Sequence, residues 1–137
     1  MIDAIYNKDV LRLAANISGT ETIENADATA SLRSSLCGSS IEISISIKNK
    51  RITGYSQKIK ACALGQASAS VMAKAVIGKS RKEIQNARET VAEMLIKGKV
   101  RPVGDWAELS ALAPAKDAKS RHGAILLPFD ALLKAFD

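Results

Sequence analysis

Ser40-Ile41-Glu42-Ile43-Ser44-Ile45-Ser46-Ile47 alternates polar and apolar residues without a fault. Successive side chains of a strand point to opposite faces, so the isoleucines share one face and the serines and glutamate the other. One face then rests on a core and the other meets water, as in an antiparallel sheet. Lys48-Asn49-Lys50-Arg51 follows as a charged turn, and Ile52 to Ile59 predicts the returning strand of a hairpin. The small, Ser-rich stretch Ala28 to Leu36 predicts a strand before it.

Helical periodicity surrounds this sheet. Ile2 to Ile17 carries Ile5, Leu11, Leu13, Ala14 and Ile17 and predicts an amphipathic helix. After Cys62, the residues Leu64, Ala67, Val71, Met72, Ala75 and Val76 form an apolar stripe at helical spacing, with Gly78 as its stop. Ser80 followed by Glu83 reads as a capping box for the next helix, which carries Ile84, Ala87, Val91, Met94 and Leu95 and ends near Gly98. Pro102, Gly104 and Pro114 make Val100 to Ala115 mostly loop, with a short turn around Trp106 to Leu112. A last helix holds Ile125, Phe129, Leu132 and Phe136 on one face; Pro128 inside it predicts a late start or a kink. Strands followed by helices suggest a single α+β domain over residues 1–137, with helices packed on one face of a three-stranded antiparallel sheet.

The composition narrows the function classes. At 47% hydrophobic and 25% charged the chain is ordinary for a globular domain, and with 4% aromatics its core must be aliphatic. A net charge of +6 favours an encounter with an acidic partner. The basic clusters Lys48-Asn49-Lys50-Arg51 and Lys97-Gly98-Lys99-Val100-Arg101 are short and lack interleaved aromatics, which argues against nucleic acid. No stretch approaches the roughly 18 apolar residues of a membrane span. No basic-then-apolar leader is visible at the start, so a reducing, cytoplasmic setting is expected, in which the cysteines are thiols or ligands rather than a disulfide.

The strong transition-metal ligands are two cysteines and one histidine, each at the end of an element: Cys37, Cys62 and His122. Free cysteine often serves as a small buried hydrophobe. Against that, Cys37 precedes the loop-like Gly38-Ser39-Ser40, and Cys62 opens a helix, whose positive end favours an anionic sulfur. The spacing is not that of a zinc finger, since no paired Cys-x-x-Cys is present.

At these three places the chain resembles the NifU/IscU/SufU family of iron–sulfur cluster assembly scaffolds. The stretches that carry the resemblance are Leu36-Cys37-Gly38-Ser39, Ala61-Cys62-Ala63-Leu64-Gly65-Gln66-Ala67-Ser68-Ala69-Ser70 and Arg121-His122-Gly123-Ala124-Ile125-Leu126-Leu127, with Met1-Ile2-Asp3-Ala4-Ile5-Tyr6 at the start. The resemblance implies a SufE/NifU-like fold and sulfur received from a cysteine desulfurase. It further implies a [2Fe–2S] cluster or iron held for downstream apo iron–sulfur proteins, or zinc in the zinc-bound branch. By resemblance Cys37 and Cys62 match the first and second cysteines of the site, and both are candidate sulfur acceptors. His122 matches the histidine that precedes the third.

Two positions depart from the family pattern. Ser39 stands where an aspartate is usual, and Gly123 where the third cysteine is usual. The remaining set is Cys37, Cys62 and His122, with Ser39 as a weak oxygen donor. Three protein ligands suit zinc with one open position, whereas a [2Fe–2S] cluster takes four. Two alternatives therefore stand beside the scaffold: a degenerate member that keeps fold and partner surface without metal, and a zinc- or cysteine-dependent sulfurtransferase.

Overall fold

The computed structural model describes residues 5–34 and 38–136. In chain order the elements are α1 (Lys8–Ala15), β1 (Ala28–Arg33), β2 (Ser40–Lys48), β3 (Arg51–Lys60), α2 (Ala63–Ala75), α3 (Arg81–Lys97), a long 3-10 helix (Gly104–Asp117), a single 3-10 turn (Lys119–Arg121) and α4 (His122–Phe136). The strands form one antiparallel sheet in the order β1-β2-β3. This is the α+β layering expected from the sequence.

The alternating run of β2 behaves as its pattern dictates. Ile41, Ile43 and Ile45 are buried and Glu42 is exposed. Each buried isoleucine contributes about 1.5–3 kcal/mol relative to exposure. Opposite them on β3 stand Ile59, Gln57 and Tyr55. The register then slips between Ser46 and Ile47, so that Ser46 faces Gly54 and Ile47 faces Ile52. One extra residue on β3 flips the alternation, which is how both Tyr55 and Ile52 are buried. α4 packs across β1 and β2, α2 against β3 and α4, and α3 against α4. Phe129 lies fully buried in this layer, with Trp106 against it at 5.5 Å between ring centroids.

Several elements differ from expectation. Of the helix expected over Ile2 to Ile17, residues 2–4 lie outside the described residues; α1 starts after Asn7, which caps it by accepting from the Val10 N–H, and ends before Asn16, so Ile17 lies outside. Val10 and Leu13 are its core residues, and Leu11 is exposed. β1 ends at Arg33, and α2 ends at Ala75, two residues before the turn that contains Gly78.

The stretch read as mostly loop is a 3-10 helix over Gly104–Asp117. A 3-10 helix has three residues per turn, so residues three apart eclipse. Leu109, Leu112 and Ala115 have that spacing and are all buried, and Trp106 begins the same row. A 3.6-residue period does not reveal this row. Nor does the last helix start late. It begins at His122, and Pro128 is buried inside it. Ala124 and Ile125 are already fully buried, and Ser68 donates to the Ile125 carbonyl at 2.6 Å, so packing holds the turn that precedes the proline.

A buried polar cluster ties the loop after α1 to the sheet and to α2. Gln57, 1% exposed, donates to the carbonyls of Ser18 and Ala69 and accepts from the Tyr55 hydroxyl at 2.8 Å. Burial pushes the Tyr55 phenol far above its ordinary pKa, so it acts as a hydrogen-bond donor.

Candidate functional site

The connection between β1 and β2 is pinned at its base. The Ser34 N–H donates to the Ser39 carbonyl at 2.7 Å, and the Gly38 N–H donates to the Ser34 carbonyl at 3.2 Å. Gly38 has φ +70°, in the left-handed region that glycine reaches without strain. Ser39, expected from the resemblance to stand where an aspartate is usual, is buried at 2% exposure. Cys37 lies outside the described residues, between Ser34 and Gly38 in sequence.

Cys62 is the N-cap of α2, with extended backbone and no side-chain capping bond. It is a free, half-buried thiol packed beside the core. Its carbonyl accepts from the Gln66 N–H at 3.0 Å, and the Gln66 amide reaches back to the Ala61 carbonyl at 3.2 Å. The residue therefore sits on a hydrogen-bonded turn, half-buried against the core.

His122 opens α4. Its Nε2 lies 2.9 Å from the Ala115 carbonyl. A carbonyl only accepts, so Nε2 carries the proton in this contact. The ring lines a pocket of about 500 Å³ with Leu95, Ile96, Lys116, Asp117 and Lys119.

Two close approaches locate these elements relative to one another. A Cβ built on Gly65, in the first turn of α2, would stand 2.7 Å from the Ala61 Cβ and 3.2 Å from the Ala124 carbonyl oxygen. Glycine there lets the starts of α2 and α4 touch. A Cβ on Gly123 would stand 3.0 Å from the Ser34 Oγ. The first turn of α4 thus lies between the base of the β1–β2 connection and the first turn of α2. Ser34 at the base of that connection, the helix start that carries Cys62 and position 123 therefore lie close together. The His122 ring is bonded to Ala115 instead. Among the described residues, no three or more His, Cys, Asp or Glu side chains gather as a metal site.

Charge elsewhere is spent on structure. Ser80 and Arg51 hold the Glu83 carboxyl below its ordinary pKa, Lys79 does so for Asp105, and Lys74 followed by Arg12 for Glu108. Sequence reasoning missed Ser34 and Gly65, whose importance is a matter of proximity.

A family model described as the NifU-like N-terminal domain matches residues 5–119. The chain belongs to this NifU-like family. A solved NifU-like protein (N-terminal) from Brucella abortus is 39% identical, with 98% of this chain and 93% of that one covered and a TM-score of 0.93. A candidate iron–sulfur cluster assembly scaffold protein for the SUF system from Fervidobacterium islandicum AW-1 shares the fold at 22% identity, with 98% of each chain covered and a TM-score of 0.86. Among curated proteins, none matches. The NifU-like family is one of iron–sulfur cluster assembly scaffolds, and no helix among the described residues is long and apolar enough to cross a membrane.

The donors present suit part of a scaffold's cargo. Cys62 offers a soft sulfur donor, and Cys37 adds a second by sequence. Position 123 offers no side chain, and the imidazole uses its Nε2–H on the Ala115 carbonyl, which leaves Nδ1 as its acceptor nitrogen. Two sulfur donors and one imidazole nitrogen suit sulfur and soft metals but fall one short of the four protein ligands that a [2Fe–2S] cluster takes.

Proposed function

We propose that this NifU-like chain is a sulfur-accepting scaffold built on Cys37 and Cys62, with iron or zinc as weakly held cargo. The observation that carries this reading is the meeting of the β1–β2 connection, the Cys62 end of α2 and the first turn of α4, marked by the Ser34–Gly123 and Gly65–Ala124 approaches. Sulfur arrives as the persulfide of a cysteine desulfurase. A Cys62 or Cys37 thiolate attacks its outer sulfur. A new S–S bond forms on the scaffold, the donor's S–S bond breaks, and the donor leaves as a thiolate. No net oxidation occurs and no other co-reactant is needed.

His122 would complete a three-ligand set through Nδ1, whose lone pair remains available while Nε2–H donates to the Ala115 carbonyl. Ser39 brings a hydroxyl in place of a carboxylate, which weakens the set for iron. The cluster is therefore labile on an isolated chain, suited to rapid transfer to apo iron–sulfur proteins in a reducing compartment. The degenerate, metal-free reading and the sulfurtransferase reading are outcomes of the same test.

That test is anaerobic incubation with a desulfurase and radiolabelled cysteine, followed by loading with ferrous iron or zinc. Label should appear on the wild type and fall to background in the Cys37→Ala, Cys62→Ala double variant. Label without bound metal would leave a sulfur relay. Absence of both from the wild type would leave only the fold and its partner surface.

A further inference from the structure

The turn between β2 and β3 lies at the far end of the sheet from Cys62. The 10 residues of β3 run from Arg51 to Lys60, two residues before Cys62. At 3.3 Å per residue that separates the turn from Cys62 by about 30 Å. The connection between α2 and α3 is tied to this turn. The Ile52 N–H donates to the Lys79 carbonyl, the Gly78 N–H to the Ile52 carbonyl, and the Arg51 guanidinium to the Gly78 carbonyl. Lys48, Lys50, Arg51, Lys79, Arg81 and Lys82 are thereby gathered at one pole. The carboxylates around them are engaged: Glu83 pairs with Arg51, Asp105 with Lys79, and Asp27 accepts from the Ile47 N–H. Among the described residues, Lys48, Lys50 and Lys82 enter no ion pair.

Apolar surface lies between these cations. One groove of about 420 Å³ has Ile47 and Phe136 as its floor and Lys50, Arg81 and Lys82 on its rim. Another, of about 540 Å³, is lined by Lys48, Arg51, Thr53 and Ile77, an isoleucine left 53% exposed. The turn itself is strained. Lys48 pairs with Arg51, so Asn49 and Lys50 form a two-residue loop, with φ +54° and +64°. Such a loop needs positive φ at both positions and favours glycine at the second. Lys50 bears a left-handed strain that glycine would avoid, and it keeps a cation on the rim of the first groove.

We propose that this pole docks an acidic protein segment with one apolar anchor: carboxylates meet Lys50, Lys82 and Lys48, and the anchor lies on Ile47 and Phe136. Charge complementarity selects the acidic partner. The aliphatic floor selects a peptide over a nucleic acid, whose bases stack on presented aromatic faces, whereas Phe136 is half-buried and packed against the core. The distance from Cys62 leaves that thiol open while the pole is occupied. This surface is independent of the proposed sulfur chemistry.

The test titrates the isotope-labelled full chain with synthetic peptides of about ten residues, read by amide NMR shifts. One has glutamates around a central leucine; one replaces the glutamates by glutamine; one replaces the leucine by alanine. The glutamate–leucine peptide should shift residues 47–53 and 77–82, and bind several-fold more weakly as salt rises from about 50 to 200 mM. Each of the other two should bind at least about three-fold more weakly. Lys50→Gly is the decisive variant: Tm should rise by about 3 °C as strain is relieved, while affinity for the glutamate–leucine peptide falls about three-fold. Lys82→Gln should weaken binding with Tm unchanged. Sulfur uptake should be intact in both, so failure of docking and failure of the sulfur reading are told apart. No shift at the pole by about 2 mM peptide, equal shifts at the basic residues 97–101, or unchanged affinity in Lys50→Gly would overturn the proposal. Equal binding of a thymidine oligonucleotide of about ten residues would overturn the choice of a peptide, and self-association of the chain that the peptide displaces would assign the groove to a second copy instead.

Discussion

Two helix starts in this molecule are built on opposite principles. At α3, Ser80 accepts from the Glu83 N–H, and Glu83 returns the bond to the Ser80 N–H, so the free donors of the first turn are satisfied reciprocally. Arg51 adds an ion pair to Glu83 at 2.8 Å. At α2, the cap is Cys62, which makes no capping bond, and the first turn holds no acidic residue. The first arrangement maximises local stability. The second gives up a capping contribution of about 1 kcal/mol and leaves a thiol at an edge where two other segments arrive. On the proposed function, a helix start without a cap, beside a glycine that admits a neighbouring helix, is where sulfur chemistry displaces stability.

The largest effect should come from Cys62 itself. Cys62→Ala is expected to reduce sulfur uptake from a desulfurase at that position to background, while Tm changes by no more than about 2 °C, since the thiol caps nothing. Mass spectrometry of the persulfidated protein and a melting curve measure the two halves. A Cys62→Ala protein that melts far below the wild type would mean the thiol is a core residue, and the contrast between the helix starts would dissolve.

Ser80→Ala should do the reverse. It is expected to cost about 1 kcal/mol of stability, read by urea unfolding at constant m-value, with sulfur uptake intact. Equal damage to both properties would show that α3 supports the site more directly than its distance in the chain suggests.

The two starts also differed in how far the sequence disclosed them. The capping box and the alternating isoleucines were legible because a side chain's own neighbours fix what it does. The same local logic failed for Leu109, Leu112 and Ala115, whose three-residue spacing belongs to a helix type too rarely this long to be expected. It failed at Pro128 as well, where burial of Ala124 and Ile125 overrides a local preference. In the site, the sequence pointed to Cys62 at a helix start and to the gap at Gly123. It could not say that the His122 ring would bond to Ala115, or that Ser34 would stand against Gly123, because both depend on how distant segments meet.

Cys62→Asp sharpens the comparison further. Aspartate is a strong N-cap, so this variant should gain about 0.5–1 kcal/mol over Cys62→Ala by accepting from the first-turn amides. It should be as inert towards sulfur as Cys62→Ala. A destabilised Cys62→Asp would indicate that the residue is too enclosed for a carboxylate, and would count against an accessible thiol.

The smallest expected effect is a pH dependence confined to one of the two starts. The Ser80 N–H and Arg51 hold the Glu83 carboxyl below its ordinary value of 4.5, so the folded state binds its proton less readily than the unfolded chain. The stability it contributes is therefore present above that value and lost as pH falls through the depressed one. Glu83 is well exposed to solvent, so screening limits the contribution to about 0.5 kcal/mol. Glu83→Gln should be less stable than the wild type by that amount at neutral pH, and the gap should close as acid protonates the wild-type carboxyl. A gap that persisted or widened in acid would show that the ion pair and the capping bond are not what distinguishes α3 from α2, where the first turn has no carboxylate to lose.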